Sequence, residues 1–110
     1  MIFDFDKMPE QNIPNFKGGE GSICTKAYSD EKIKTAVNVL SPGSSIGYHM
    51  HENNSEVIYV LGGEALLKYD GKEERLKKGL VHYCPMGHSH SIINDSGDDF
   101  VFFCVVSEYK

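Results

Sequence analysis

The chain has 110 residues, a formal charge of −5 and a pI near 5.4, which suits one domain with a single core and leaves no room for a second. The acidic balance disfavours a nucleic-acid surface, and the lysines are scattered or, like Lys77 and Lys78, sit near Glu73 and Glu74 in a solvated stretch. No apolar run approaches bilayer length, the start lacks the positive charge and apolar stretch of a secretory leader, and Cys24, Cys84 and Cys104 form no paired spacing, so a reducing cytoplasm is the expected compartment.

Phe3 and Phe5 alternate with Asp4 and Asp6, which predicts a short strand with one buried face. Pro9 and Pro14 break regular structure, and Gly18-Gly19-Glu20-Gly21 predicts a mobile loop. A strand over Ser22 to Tyr28 is followed by a turn at Ser29-Asp30-Glu31. In the next strand Ile33, Thr35, Val37 and Val39 lie on one face, and Ser41-Pro42-Gly43 ends it.

Gly43 to Asn94 carries the chemistry. Side chains two apart on a strand share a face, so His49 and His51 present their imidazoles together. After a polar turn, Glu52 to Ser55, the chain is expected to return antiparallel, with Glu56 opposite the two rings and Val57 to Leu61 continuing the strand. Ala65 to Tyr69 and Lys72 to Leu76 form a hairpin closed by Asp70-Gly71, the signature of a type I′ turn. Further on, Pro85 and Gly87 force a turn and His90 opens another apolar strand, supplying a fourth metal ligand. Asp95 to Asp99 ends that strand. The last one, Phe100 to Val106, is apolar on both faces, so both faces need cover, from the N-terminal segment or from a second subunit.

The two segments resemble the paired motifs of the cupin superfamily. The first matches at Gly43, His49, His51, Glu56 and Gly63, and the second at Gly79, Pro85, Gly87, His90 and Asn94, with fifteen residues between Gly63 and Gly79. The Gly-Gly-Glu-Gly stretch before Ser22 also resembles, more loosely, the N-terminal region of small bacterial cupins described as oxalate-decarboxylase-like. The resemblance implies an all-β fold, the double-stranded β-helix or cupin jelly-roll barrel. Residues 1–110 would form one domain, with an N-terminal extension of about residues 1–21 able to pack on a partner subunit. It further implies one divalent transition metal, Mn, Fe, Ni or Zn, held by His49, His51, Glu56 and His90 in near-octahedral geometry, and a homodimer paired through a sheet.

Three imidazoles and a carboxylate suit a first-row transition ion, and four protein ligands leave positions open for a substrate oxygen. By parity Ile58 and Val60 share the face of Glu56, and Ile92 and Asn94 that of His90, so an apolar cavity floor is expected, with Tyr48 and Tyr59 pointing away. His88 has the parity of His90 and is the candidate proton donor or acceptor near the metal. Arg75 is the single arginine and belongs in water. With no cation on a ligand-bearing face to hold a second carboxylate, oxalate decarboxylation is disfavoured. Two functions remain: a metalloenzyme of dioxygenase, isomerase or decarboxylase type acting on a small oxygen-bearing molecule, and a non-catalytic module binding a small acid or sugar.

Overall fold

The computed structural model describes residues 1–109. Among them ten strands form two antiparallel sheets facing each other, the jelly-roll barrel that the spacing of apolar runs and turns predicts. In chain order they are β1 (Gln11–Pro14), β2 (Ser22–Ser29), β3 (Ile33–Leu40), β4 (Ser45–Met50) and β5 (Asn54–Gly62), then β6 (Glu64–Tyr69), β7 (Lys72–Lys77), β8 (Val81–Cys84), β9 (Ser89–Ile93) and β10 (Phe100–Glu108). One sheet has the order β1-β2-β3-β10-β5-β8 and the other β4-β9-β6-β7. No helix is long and apolar enough to cross a membrane.

The core lies between the sheets. Leu40, Ile58, Val60, Leu67, Ile92, Phe100 and Phe102 are almost completely buried there, each stabilising the fold by about 2 kcal/mol relative to exposure. Asn94 is buried with them, its amide donating to the carbonyls of Leu40 and Asp98 while its side-chain oxygen accepts from Ser96. It therefore ties off the end of β9 and, unlike Ile58 and Ile92, is absent from the wall of the central cavity. The β6–β7 hairpin turns on Asp70 and Gly71, both at positive φ (48° and 82°), as a type I′ turn requires.

Three local expectations are corrected. Phe5–Lys7 is a turn of 3-10 helix rather than strand, capped by the Asp4 carboxylate, which accepts from the Asp6 amide at 2.9 Å; this side-chain bond offers the backbone an alternative to a ladder. Pro14 does not interrupt β1 but ends it, on the edge of the sheet, where a missing N–H is tolerated. The Gly18–Gly21 loop is a strap tied onto β4: Glu20 N donates to Ser45 Oγ, Ser45 N to Glu20 O and Asn15 N to Gly21 O.

For β3 the structure adds which side the shared face takes. Ile33, Thr35, Val37 and Val39 share a face as expected, and it is the outer one. The interior takes Ala36, Asn38 and Leu40, with Lys34 in phase at the barrel mouth. The outer residues are apolar because the N-terminal segment lies over them: Ile2, Phe3, Phe5, Val37, Val39 and Leu61 border one groove. Phe5 meets Phe103 edge-on at 6.1 Å and Phe3 meets Tyr28 at 5.1 Å. The N-terminal segment thus supplies part of the cover that two-faced β10 needs.

Candidate metal centre

The strand β4 pairs with β9, and the register slips by one residue between the pairs Ile46↔Ile92 and His49↔His90. Two residues, Gly47 and Tyr48, therefore oppose the single Ser91, which is a β-bulge. Without it, parity with buried Ile46 would point Tyr48 inward. With it, Tyr48 is exposed and His49 and His51 turn into the barrel. The chain then crosses from β4 to the facing sheet instead of pairing β5 beside β4 as a hairpin, because β5 finds its partners in β10 and β8. Glu56 thus faces the imidazoles from across the barrel.

The rings of His49, His51 and His90 have centroids 4.7 to 5.1 Å apart, and each offers a ring nitrogen within 4.8 Å of the others. His51 Nε2 and His90 Nε2 stand 3.0 Å apart, with Glu56 Oε1 at 3.2 and 3.3 Å from them. The outer nitrogens are tied down. His49 Nδ1 donates to the carbonyl of Gly47 at 2.7 Å. His51 Nδ1 donates to Asn54 Oδ1 at 2.6 Å, the amide orientation being set by Asn54 Nδ2 donating to Glu108 Oε1. His90 Nδ1 shares a hydrogen with His82 Nε2 at 3.0 Å. With His49 and His51 donating through Nδ1, their Nε2 atoms are left to face inward, the usual surrounding of a metal-ligating imidazole. Electron-pair donors converging in this way call for a cation between them, and the donor set fits a transition ion.

Any proton that His51 or His90 carries on Nε2 bonds to Glu56, and a bound ion would displace it. Burial tends to raise the Glu56 pKa, but hydrogen bonds from His51 and His90 outweigh it and hold the carboxyl down at about 2. The same contact with Glu56 raises His51 against the opposing effect of burial. Burial lowers His49, and it lowers His82 to about 4. A second close group, His82, Cys84 and His90, shares one ring with the first. Burial pushes its thiol up to about 12, which disfavours the thiolate that ligates metals.

The group opens into a cavity of about 240 Å³ whose walls include Ile23, Ile46, Ile58, Ile92 and Phe102. His88 does not line it. Its Nδ1 faces Asp70 Oδ2 and the Tyr69 hydroxyl, its ring stacks on Tyr69, and its side chain is 44% exposed. Arg75 lies outside, paired with Glu64 at 3.5 Å and Asp95 at 2.7 Å. Two cations nevertheless border the cavity, Lys17 from the strap and Lys34 from β3. This corrects the expectation that no lysine reaches a ligand-bearing face. It follows from the side that β3 turns inward, where Lys34 is in phase with Ala36 and Asn38. His82 was also missed as a partner of His90. The visible signal was Val81-His82-Tyr83-Cys84, alternating exposed and buried with His82 opposite Ile58.

A family model described as a cupin domain matches residues 36–106. The oxalate-binding protein of Thermotoga maritima is 32% identical over 112 residues, covering 96% of this chain and 93% of that one. A crystal structure from the same organism, described as a predicted oxalate decarboxylase, superposes with a TM-score of 0.92 at 32% identity, over 98% of this chain and 99% of the other. KdgF from Halomonas sp. shares the fold with a TM-score of 0.80 at 17% identity, over 98% and 94% of the two chains. From the family match along most of the barrel and a relative matched over nearly the whole of both chains at this identity, the chain belongs to the cupin family.

Proposed function

We propose that this cupin holds one divalent transition ion on His49, His51, Glu56 and His90 and uses it to bind a small carboxylate. The observation that carries the reading is the convergence of His51 Nε2, His90 Nε2 and Glu56 Oε1 within 3.3 Å, with the rings oriented from behind. A bound ion would supply Lewis acidity and open positions for ligand oxygens. The protein's own part is to keep Glu56 ionised, to fix the imidazole tautomers, and to surround the ligand with apolar walls that exclude water.

The Thermotoga maritima matches support a carboxylate, the protein being named for oxalate binding and the crystal structure described as a predicted oxalate decarboxylase. The argument against oxalate loses its premise once Lys17 and Lys34 border the cavity. Recognition is favoured over dioxygenase, isomerase or decarboxylase turnover because His88, the candidate proton carrier, is turned to Asp70 and Tyr69 outside the cavity. We also read the chain as a homodimer, on the exposed apolar face taken up in the Discussion.

Elemental analysis after separate loading with Mn, Fe, Ni and Zn tests the metal. One ion per chain is expected, and His51→Ala should lower affinity by roughly a hundredfold or more while circular dichroism stays that of a β-barrel. Absence of metal in all four samples, or unchanged affinity in His51→Ala, overturns the assignment.

A further inference from the structure

We propose that Lys17 and Lys34 form a separate anion subsite at the cavity mouth that holds the second, non-coordinating carboxylate of a small dicarboxylate, so that the site selects dianions over monoanions. This rests on the metal-dependent carboxylate reading above and adds the residues that decide specificity.

Lys34 occupies an unusual place for a lysine. It lies on the inner face of β3, in phase with Ala36, Asn38 and Leu40, and its residue is half-buried. Directly paired residues on neighbouring strands share a face, and the register aligns Lys34 with Val106 and Val106 with Glu56. Lys34 therefore stands in the same cross-sheet row as a proposed metal ligand, two strand spacings or about 10 Å away. A flexible ammonium stem starting there can close on the free end of a ligand whose other end is at the imidazoles.

Lys17 arrives independently, from the strap over the mouth. Its backbone is left-handed at φ 54°, between Asn15 at 51° and Gly18 at 83°, a conformation that carries strain for a residue with a Cβ. The strap's hydrogen bonds to Ser45 and the close contact of the Lys17 carbonyl with Gly47 hold it in place. Both ammonium groups lie against one ring, Lys17 Nζ at 5.7 Å and Lys34 Nζ at 6.0 Å from the Phe16 centroid. Each gains a cation–π contact there.

Neither lysine has an ion-pair partner among the described residues. The acidic groups facing the same cavity are engaged: Glu56 with His51 and His90, and Glu108 with Asn54. Two like charges gathered on one aromatic ring without a counter-ion repel each other, and an anion between them relieves the repulsion. An ion held by the four ligands would offset one carboxylate, and the lysine pair meets the remaining charge that an apolar cavity would otherwise leave unpaired.

Calorimetric titration of the Mn-loaded full chain tests this with oxalate and with oxamate, which has nearly the same shape but replaces one carboxylate by an uncharged amide. Wild type is expected to favour oxalate by roughly tenfold, and Lys34→Gln and Lys17→Gln should each lose about that factor for oxalate while oxamate affinity stays within about twofold. Metal content should be unchanged in both variants, and Lys34→Arg should retain much of the preference. If wild type binds both anions and the variants lose neither or lose both alike, the lysine subsite is overturned and the metal-dependent carboxylate reading survives. If metal-loaded wild type binds neither anion, both fall.

Discussion

His82 buttresses the ring of His90 from inside the barrel, and burial keeps it neutral, with its pKa lowered to about 4. A histidine whose pKa falls on folding binds more protons unfolded than folded. Its contribution is complete above about 6.5 and drains away as the pH falls toward 4. Glu56 acts in the same direction lower down: its carboxyl, held at about 2 against an ordinary 4.5, contributes above 4.5 and loses that contribution as the pH falls toward 2. His51 opposes them, because its raised pKa stabilises the fold at low pH and the gain is lost as the pH rises through its folded value. Between pH 6.5 and 4 the His82 contribution falls, with that of His49, which burial also lowers, while the His51 gain is already complete and the Glu56 loss has barely begun, so the melting temperature of metal-free protein is expected to drop across this range. His82→Asn should flatten that segment of the profile in a calorimetric pH series, and an unchanged slope would show that His82 does not titrate on unfolding. At this scale the histidines of the two motifs were legible from spacing. His82 was not, because the alternation of Val81 to Cys84 puts it on one face with Cys84 without showing that its ring meets His90.

The element that most shapes the mouth of the cavity is the strap from Asn15 to Gly21. It reaches β4 at two places where a side chain has no room: a Cβ on Gly47 would collide with the Lys17 carbonyl, and one on Gly19 with the Ser45 carbonyl. Gly47→Ala is expected to push the strap outward and cost about 1 to 3 kcal/mol, the usual range for forcing a methyl into packed space. The denaturation midpoint measures the cost, and faster tryptic cleavage after Lys17 reports the displaced strap; a variant as stable and as resistant as wild type would mean that the strap yields freely. Glycine at 19 and 47 gave no sign of this contact, since the two residues are remote in sequence and meet only when β4 is placed. The same holds for the bulge at Gly47 and Tyr48. Alternation makes His49 and His51 equivalent, but an extra residue in the ladder decides that they face inward.

On the scale of the molecule, the N-terminal segment covers the outer face of β10 at Phe103 but leaves the neighbouring strands open. Val57 pairs with Tyr83 and Tyr59 with Val81, placing four large apolar residues side by side on the outside of β5 and β8, with Val81 61% exposed. An edge strand with such a face is a ready docking surface, and a second copy covers it symmetrically. Sedimentation at low micromolar concentration should show a dimer, and Val81→Glu should shift it to monomer by placing a charge in the buried centre of the contact. A wild-type monomer would refute the dimer.

The sequence by itself determined whatever depends on neighbours along the chain. The period of the strands, the positive-φ turn at Asp70 and Gly71, the ligand-type residues at 49, 51, 56 and 90, and the exposed place of Arg75 all follow from local spacing and backbone sterics. Only the tertiary structure decided questions of side and partner. Parity says which residues of β3 lie together but not which group faces the core, since Val37 and Val39 find apolar cover from the N-terminal segment as readily as Leu40 finds it inside. Local spacing likewise brings Glu56 near His51 without choosing between a hairpin and a crossing to the opposite sheet. That choice rests on the hydrogen bonds β5 makes with β8 and β10, strands far away in sequence, and with it the inward place of Lys34 in the row of Glu56 was settled.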